Sequence, residues 1–180
     1  MAAHHGAAAL NVTTFCEQDS RLDGHLPLAA MARLLDSLYG QPTADAQVAW
    51  SASGSCRPML CSQPTPWLQL RAEVPVMLQC QRCLQGIAQR LRVDRAFRFV
   101  RTEAEAEALD DIAEEDVLVL PQRLDLPLLI EDELILALPL VPRHDGACPE
   151  PLPLPADDLL EEDAAPHPFA ALAAMRGKPQ

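Results

Sequence analysis

The stretch Val76-Met77-Leu78-Gln79-Cys80-Gln81-Arg82-Cys83-Leu84 decides how this chain folds. Two cysteines two residues apart sit between two long segments that alternate in polarity. Upstream, Leu68, Leu70, Ala72, Val74, Val76 and Leu78 occupy every second position, and Gln69, Arg71, Glu73 and Gln79 fill most of the gaps. Downstream, Ile87, Leu91, Val93, Phe97 and Phe99 share one parity, and Arg90, Arg92, Asp94 and Arg98 the other. In a strand successive side chains point to opposite faces, so this period predicts half-buried strands over 67–79 and 86–100. A short turn between them makes an antiparallel hairpin with two thiols at its tip.

Working outward, the hairpin acquires neighbours. Asp45 to Ala52 alternates through Val48, Trp50 and Ala52 and predicts a further strand, ended by Ser53-Gly54-Ser55. Pro64 and Pro66 mark a loop. Residues 27–38 place Leu28, Met31, Leu34, Leu35 and Leu38 on one helical face, with Pro27 suited to the first turn and Gly40 to the stop. Residues 102–115 read as a solvated loop or a short surface helix, and 117–120 as a short strand closed by Pro121. Asp125 caps a second helix, 125–138, with Pro127 in its first turn. Within it Glu131, Asp132 and Glu133 are expected on a solvated face.

These elements predict an α+β domain over 21–148: a mainly antiparallel β-sheet with a Cys-x-x-Cys-tipped hairpin, covered by two helices. A frayed segment 1–20 precedes it, and an acidic Pro-rich tail, 149–180, follows. That tail carries a short apolar island at Pro168-Phe169-Ala170-Ala171-Leu172-Ala173.

Composition narrows the function. A net charge of −12 gives no general basic surface for nucleic acid. The charge is uneven, however: six arginines and one acid lie between Arg82 and Arg101, and eight acids with no base between Glu103 and Asp116. The start lacks a basic region followed by an apolar run, and no stretch of about 18 apolar residues is present to span a membrane. The expectation is a cytoplasmic protein whose six cysteines stay reduced.

In that setting Cys80 and Cys83 point to a metal or to redox chemistry. Zinc takes four nitrogen or sulfur ligands in a tetrahedron, commonly as two closely spaced pairs. His144 and Cys148, in His-Asp-Gly-Ala-Cys-Pro, supply the second pair, and Gly146 lets the turn close. Two other readings stand beside zinc: Cys80 as a plain core residue with Cys83 a loop thiol, or the pair as a redox thiol. Cys56 and Cys61 form a second-choice pair. No Gly-rich phosphate loop and no Gly-x-Ser-x-Gly is found. Arg90, Arg92 and Arg98 fall on one side of a strand, where they either contact phosphates or protect an exposed strand. Arg82, within the Cys turn, joins them as a candidate RNA contact.

Three stretches together resemble one family. Cys80-Gln81-Arg82-Cys83-Leu84 follows an alternating strand, Glu131-Asp132-Glu133-Leu134 runs on to Pro142-Arg143-His144-Asp145, and Pro168-Phe169-Ala170-Ala171-Leu172 lies near the end. In order and spacing they resemble the bacterial YceD family, the large ribosomal RNA subunit accumulation proteins. The resemblance extends from about Leu22 onward and is strongest over 76–148. It implies a non-enzymatic factor needed for synthesis, processing or stability of 23S-type ribosomal RNA. Cys80, Cys83 and Cys148 fit the family pattern, and His144 stands where relatives have a further cysteine. The partner expected is pre-ribosomal RNA or a basic large-subunit ribosomal protein, the latter held by the acids at 103–116 and 157–163. No membrane and no small-molecule substrate are inferred. The alternative is a thiol redox or metal-handling protein using Cys80 and Cys83.

Overall fold

Period-two patterning carries over directly into the centre of the structure. A computed structural model of the chain describes residues 9–59 and 62–149. Their elements, in order, are α1 (Val12–Glu17), β1 (Arg21–Pro27), a 3-10 turn (Leu28–Ala30), α2 (Ala32–Leu35), β2 (Gln47–Met59), β3 (Ser62–Gln79), β4 (Gly86–Val100), α3 (Glu103–Asp110), β5 (Asp116–Val119) and α4 (Leu126–Leu136). The expected tail 149–180 lies, beyond Pro149, outside the described residues, as do residues 1–8 and Cys61.

The strands form one sheet in the order β1-β2-β3-β4-β5. The first three pairings are antiparallel, with Trp50 opposite Ala72 and Ala72 opposite Val93. β5 joins β4 in parallel, through the α3 crossover, with Phe99 opposite Leu118. The sheet is therefore mixed. A parallel partner cannot be reached by a tight turn, and the acidic segment 102–115 supplies the longer connection. Thr102 starts α3 by accepting the Glu105 N–H at 3.2 Å, and Glu105 in turn accepts the Arg101 N–H at 2.9 Å.

Register puts the even residues of β1–β3 and the odd residues of β4 on one face. Val48, Leu68, Leu70, Val74, Leu78, Leu91, Phe97 and Phe99 are buried there. Each such side chain contributes about 1.5–3 kcal/mol relative to exposure. α1 packs on this face over β2 and β3, burying Val12, Phe15 and Cys16, and α4 covers the other half with Leu126, Ile130 and Leu134.

Five sequence expectations change. Residues 1–20 were expected to fray, but Val12–Glu17 is a helix capped by the Asn11 side chain, which accepts the Thr14 N–H at 3.1 Å. Leu10 and Leu124 exchange backbone hydrogen bonds of 2.8 and 2.9 Å and pin this segment down. β2 does not stop at Ser53-Gly54-Ser55. Gly54 lies inside the strand because α1 presses on it: a Cβ there would sit 2.6 Å from Phe15 Cδ1.

Pro64 and Pro66 belong to β3 for a related reason. Proline cannot donate to a ladder, so it needs a strand position with one partner missing. β4 pairing begins only at Trp67, and β2 pairing ends at Glu73, so Pro66 and Pro75 each face a single neighbour, while Pro64 falls where the β2–β3 register is irregular.

The helix expected over 27–38 is broken. Pro27 is the last residue of β1, opposite Gln47, and the Leu28 N–H donates to Ala46 O at 2.9 Å. Met31 leaves helical geometry at φ −101°, ψ 76°, so only Ala32–Leu35 forms an α-helical turn. Leu28, Met31 and Leu34 still face the core.

The four-residue α2 has no side-chain cap of its own. Glu131 of α4 supplies one. Its Oε1 accepts the N–H groups of Arg33 and Leu34 at 2.8 and 3.2 Å, and its Oε2 accepts Arg33 Nη2 at 3.0 Å. The solvated face expected for Glu131-Asp132-Glu133 is thus half wrong: Glu131 and Glu133 are buried, and Asp132 is the one partly exposed.

Candidate metal centre

The Cys-x-x-Cys turn closes on its own backbone. Cys80 N–H donates to Gln85 O at 2.8 Å and Leu84 N–H to Cys80 O at 2.9 Å, with Leu84 at φ +62°. That left-handed residue reverses the chain within the knuckle and is uncommon outside Gly and Asn. The Arg82 N–H points at Cys80 Sγ, 3.4 Å away. Both sulfurs end in buried positions, Cys80 as the last inward residue of the β3 face.

The second pair arrives from the far side of α4. Pro139 and Pro142 end the helix, and Pro142 O accepts the Gln81 N–H at 2.9 Å, which sets the following loop against the knuckle. Arg82 completes the join, donating its Nη2 to His144 O at 2.7 Å and also to Gly146 O. The ligand atoms of Cys80, Cys83, His144 and Cys148 all lie within 4.8 Å of one another. Cys80 Sγ is 3.9 Å from Cys148 Sγ, and Cys83 Sγ is 3.7 Å from His144 Nδ1. A tetrahedral zinc with metal–sulfur bonds of about 2.3 Å has edges of about 3.8 Å between sulfurs. The group can therefore hold a metal ion.

Protonation fits the same purpose. Burial pushes the Cys80 thiol up, but N–H donation from Arg82, Cys83 and His144 outweighs it and holds the group down at about 5. Cys148 moves the other way, to about 11, through burial and hydrogen bonds to the Cys83 and Cys80 sulfurs. One thiolate is already favoured, and a bound cation would deprotonate the remaining thiols. Cys16, by contrast, is a core thiol pushed up to about 11 by burial. Cys56 lies in β2 outside this group, and its second-choice partner Cys61 lies outside the described residues.

Of the arginines singled out in the sequence, Arg90, Arg92 and Arg98 share one face of the sheet and Arg82 does not. Arg82 is engaged with the His144–Cys148 loop. Arg90 and Arg92 stand on the uncovered face of the sheet and share Glu73, Arg92 at 2.8 Å. Arg98 is largely covered and lies 3.5 Å from Glu115. Two features escaped sequence reading: the Glu131 cap, and the guanidinium of Arg57, stacked 3.6 Å from the centre of the Trp67 ring. The Glu131 cap leaves no local signal because it joins elements distant in sequence, and the Arg57 stack depends on the register between β2 and β3.

The comparison with known proteins settles the relationship. The family description "Large ribosomal RNA subunit accumulation protein YceD" matches residues 68–176, a span that includes all four candidate ligands. The chain belongs to the YceD family. A Haemophilus influenzae protein named large ribosomal RNA subunit accumulation protein YceD is 31% identical over 174 residues, covering 94% of this chain and 96% of that one. No solved structure matches. For this YceD-family chain the knuckle, the His144–Cys148 loop and α4 all fall inside the matched span, whereas α1, β1, α2 and β2 precede it.

Proposed function

We propose that this protein is a non-enzymatic ribosome-biogenesis factor that supports accumulation of large-subunit ribosomal RNA by binding. The observation that carries this reading is membership of the YceD family across nearly the whole chain. The geometry is consistent with binding in place of turnover. Cys80, Cys83, His144 and Cys148 would hold zinc, and four protein ligands would close the coordination shell and leave no position for substrate. Such an ion would be structural: its ligands come from the tip of the β3–β4 hairpin and from the segment after α4, two regions more than sixty residues apart in sequence that Arg82 already joins. Four converging ligands favour this over the redox alternative, which needs only two thiols and an accessible sulfur.

The partner is pre-ribosomal RNA or a basic large-subunit protein. Deleting the gene and quantifying 23S and 16S RNA tests the reading: large-subunit RNA falls selectively and the plasmid-borne chain restores it. Crosslinking in growing cells, read for RNA and protein together, identifies the contact. Unchanged 23S levels after deletion defeat the proposal.

A further inference from the structure

α1, α2 and α4 lie on one side of the sheet, and among the described residues the other side is uncovered over β1–β3 and most of β4. Odd residues of β1, β2 and β3 and even residues of β4 point there, and from Arg21 to Arg98 none of those with described side chains is buried. The charge on this face is the reverse of the whole. It carries six arginines, Arg21, Arg57, Arg71, Arg90, Arg92 and Arg98, against three strand acids, Asp23, Glu73 and Asp94. The chain as a whole has 14 basic and 26 acidic residues. Nearly half the cations but few of the acids therefore share one surface.

Its relief and chemistry are equally uneven. β2 presents Ala49, Ser51, Ser53 and Ser55, a line of small side chains beside the longer ones of β3 and β4. A depression of about 420 Å³ opens there, lined by Ala49, Ser51, Arg71, Glu73, Arg92 and Asp94 among others. At one end of the same face Trp67 stands between Ser55 and Arg98, with Arg57 stacked on its ring. The ion pairs Arg71–Asp94 and Arg92–Glu73 are exposed, and exposed pairs are worth little, so their arginines can exchange partners at small cost.

We propose that this open sheet face is a platform for single-stranded RNA, with Trp67 and Arg57 stacking on a base and Arg71, Arg90 and Arg92 contacting phosphates. The inference rests on the ribosomal RNA reading above and adds to it the partner and the surface. Unpaired bases present flat faces that stack on aromatic and guanidinium planes, whereas double-stranded RNA hides them. Trp67 to Pro75 spans about 26 Å along β3, at roughly 3.3 Å per residue, enough for several nucleotides. Serine hydroxyls and Gln69 offer hydrogen bonds to sugar and base edges. A basic protein is the poorer occupant, because this face opposes it in charge.

The test uses the full chain purified reduced and without chelators and a labelled 12-nucleotide oligouridine, with a 12-base-pair RNA duplex as the comparison, read by fluorescence anisotropy over a salt series. The single strand binds more tightly than the duplex. Trp67→Ala weakens binding about 5- to 150-fold, the range for losing one stacked base, and Trp67→Phe restores most of it. Replacing Arg71, Arg90 and Arg92 with Ala lowers the salt slope by about 0.7 per lost contact. These side chains are exposed or half-buried, and unchanged thermal melts confirm that the variants fold. Absence of binding by the wild-type chain, equal binding of duplex, or insensitivity to both sets of substitutions overturns the platform.

A cellular arm separates the two readings. If the Trp67→Ala, Arg90→Ala, Arg92→Ala chain restores 23S RNA in the deletion strain, the platform falls while the accumulation role stands. If deletion leaves 23S RNA unchanged, the accumulation role itself falls. Loss of capture of a basic ribosomal protein by the same variants, with RNA binding intact, also overturns the proposal.

Discussion

Glu131 and Glu133 stand two residues apart on α4, both buried, and their substitution by glutamine should move stability in opposite directions. Glu131 accepts two backbone N–H groups of α2 and the Arg33 guanidinium. Burial opposes its charge, but these donors outweigh it and hold its pKa below the usual 4.5. Glu133 meets Arg95 alone, at 3.5 Å, with Asp116 and Asp132 nearby, and burial raises its pKa.

Glu131→Gln keeps the shape but removes the charge from several hydrogen bonds and turns one oxygen into a donor facing Arg33. With charge-assisted bonds worth about 1.5–3 kcal/mol each and partial retention by the amide, the loss is about 2 kcal/mol. A domain of this size shifts about 2–4 °C per kcal/mol, so Tm falls by about 4–8 °C. Glu133→Gln relieves a carboxylate whose ionisation the fold disfavours. Its Tm at pH 7 should stay level or rise by about 1–3 °C.

The pH dependence has matching signs. A depressed folded pKa gives stability that is present above 4.5 and lost as pH falls through the folded value, so the Glu131→Gln deficit shrinks below pH 4.5. A raised folded pKa gives stability that is present below 4.5 and lost as pH rises through the folded value. The Glu133→Gln advantage therefore appears only above 4.5. Thermal melts of the wild type and both variants from pH 3.5 to 8 test this. Equal shifts, or a Glu133→Gln loss as large as that of Glu131→Gln, would refute the assignment of Glu131 as the α2 cap.

Three further outcomes are expected. Protein purified reduced and without chelators contains about one zinc per chain by atomic absorption, and Cys80→Ser loses both the metal and much of the stability; zinc-free wild type would leave Cys80 as a core thiol. Arg82→Ala, which removes the donors to His144 O and Gly146 O, weakens zinc binding about 10- to 100-fold in chelator competition while leaving the ligand set intact, and an unchanged affinity would return Arg82 to the list of free surface cations. Gly54→Ala drives a Cβ to 2.6 Å from Phe15 and 3.0 Å from the Cys16 backbone, costing about 1–3 kcal/mol in urea unfolding, whereas at Gly24 the nearest atom is Trp50 at 3.4 Å and alanine is expected to be tolerated.

The sequence by itself determined the hairpin, both candidate ligand pairs and the long helix. Each carries a periodic or short-range signal: alternation through Leu68–Leu78 and Ile87–Phe99, two-residue and three-residue ligand spacings, and the Asp125 cap with Pro127 behind it. These signals survive because the forces behind them, burial on a pleated face and satisfaction of a first helical turn, act between residues close along the chain. Tertiary structure decided the rest. Whether 27–38 became a helix depended on sheet pairing at Pro27 and on a carboxylate about a hundred positions away, and the length of β2 depended on Phe15 crossing Gly54. It also decided which arginines were available: Arg82 was drawn to the His144 loop, while Arg57 and Arg71 joined Arg90 and Arg92 on one open surface. Such outcomes hinge on contacts between elements far apart in sequence, and local pattern holds no record of which elements will meet.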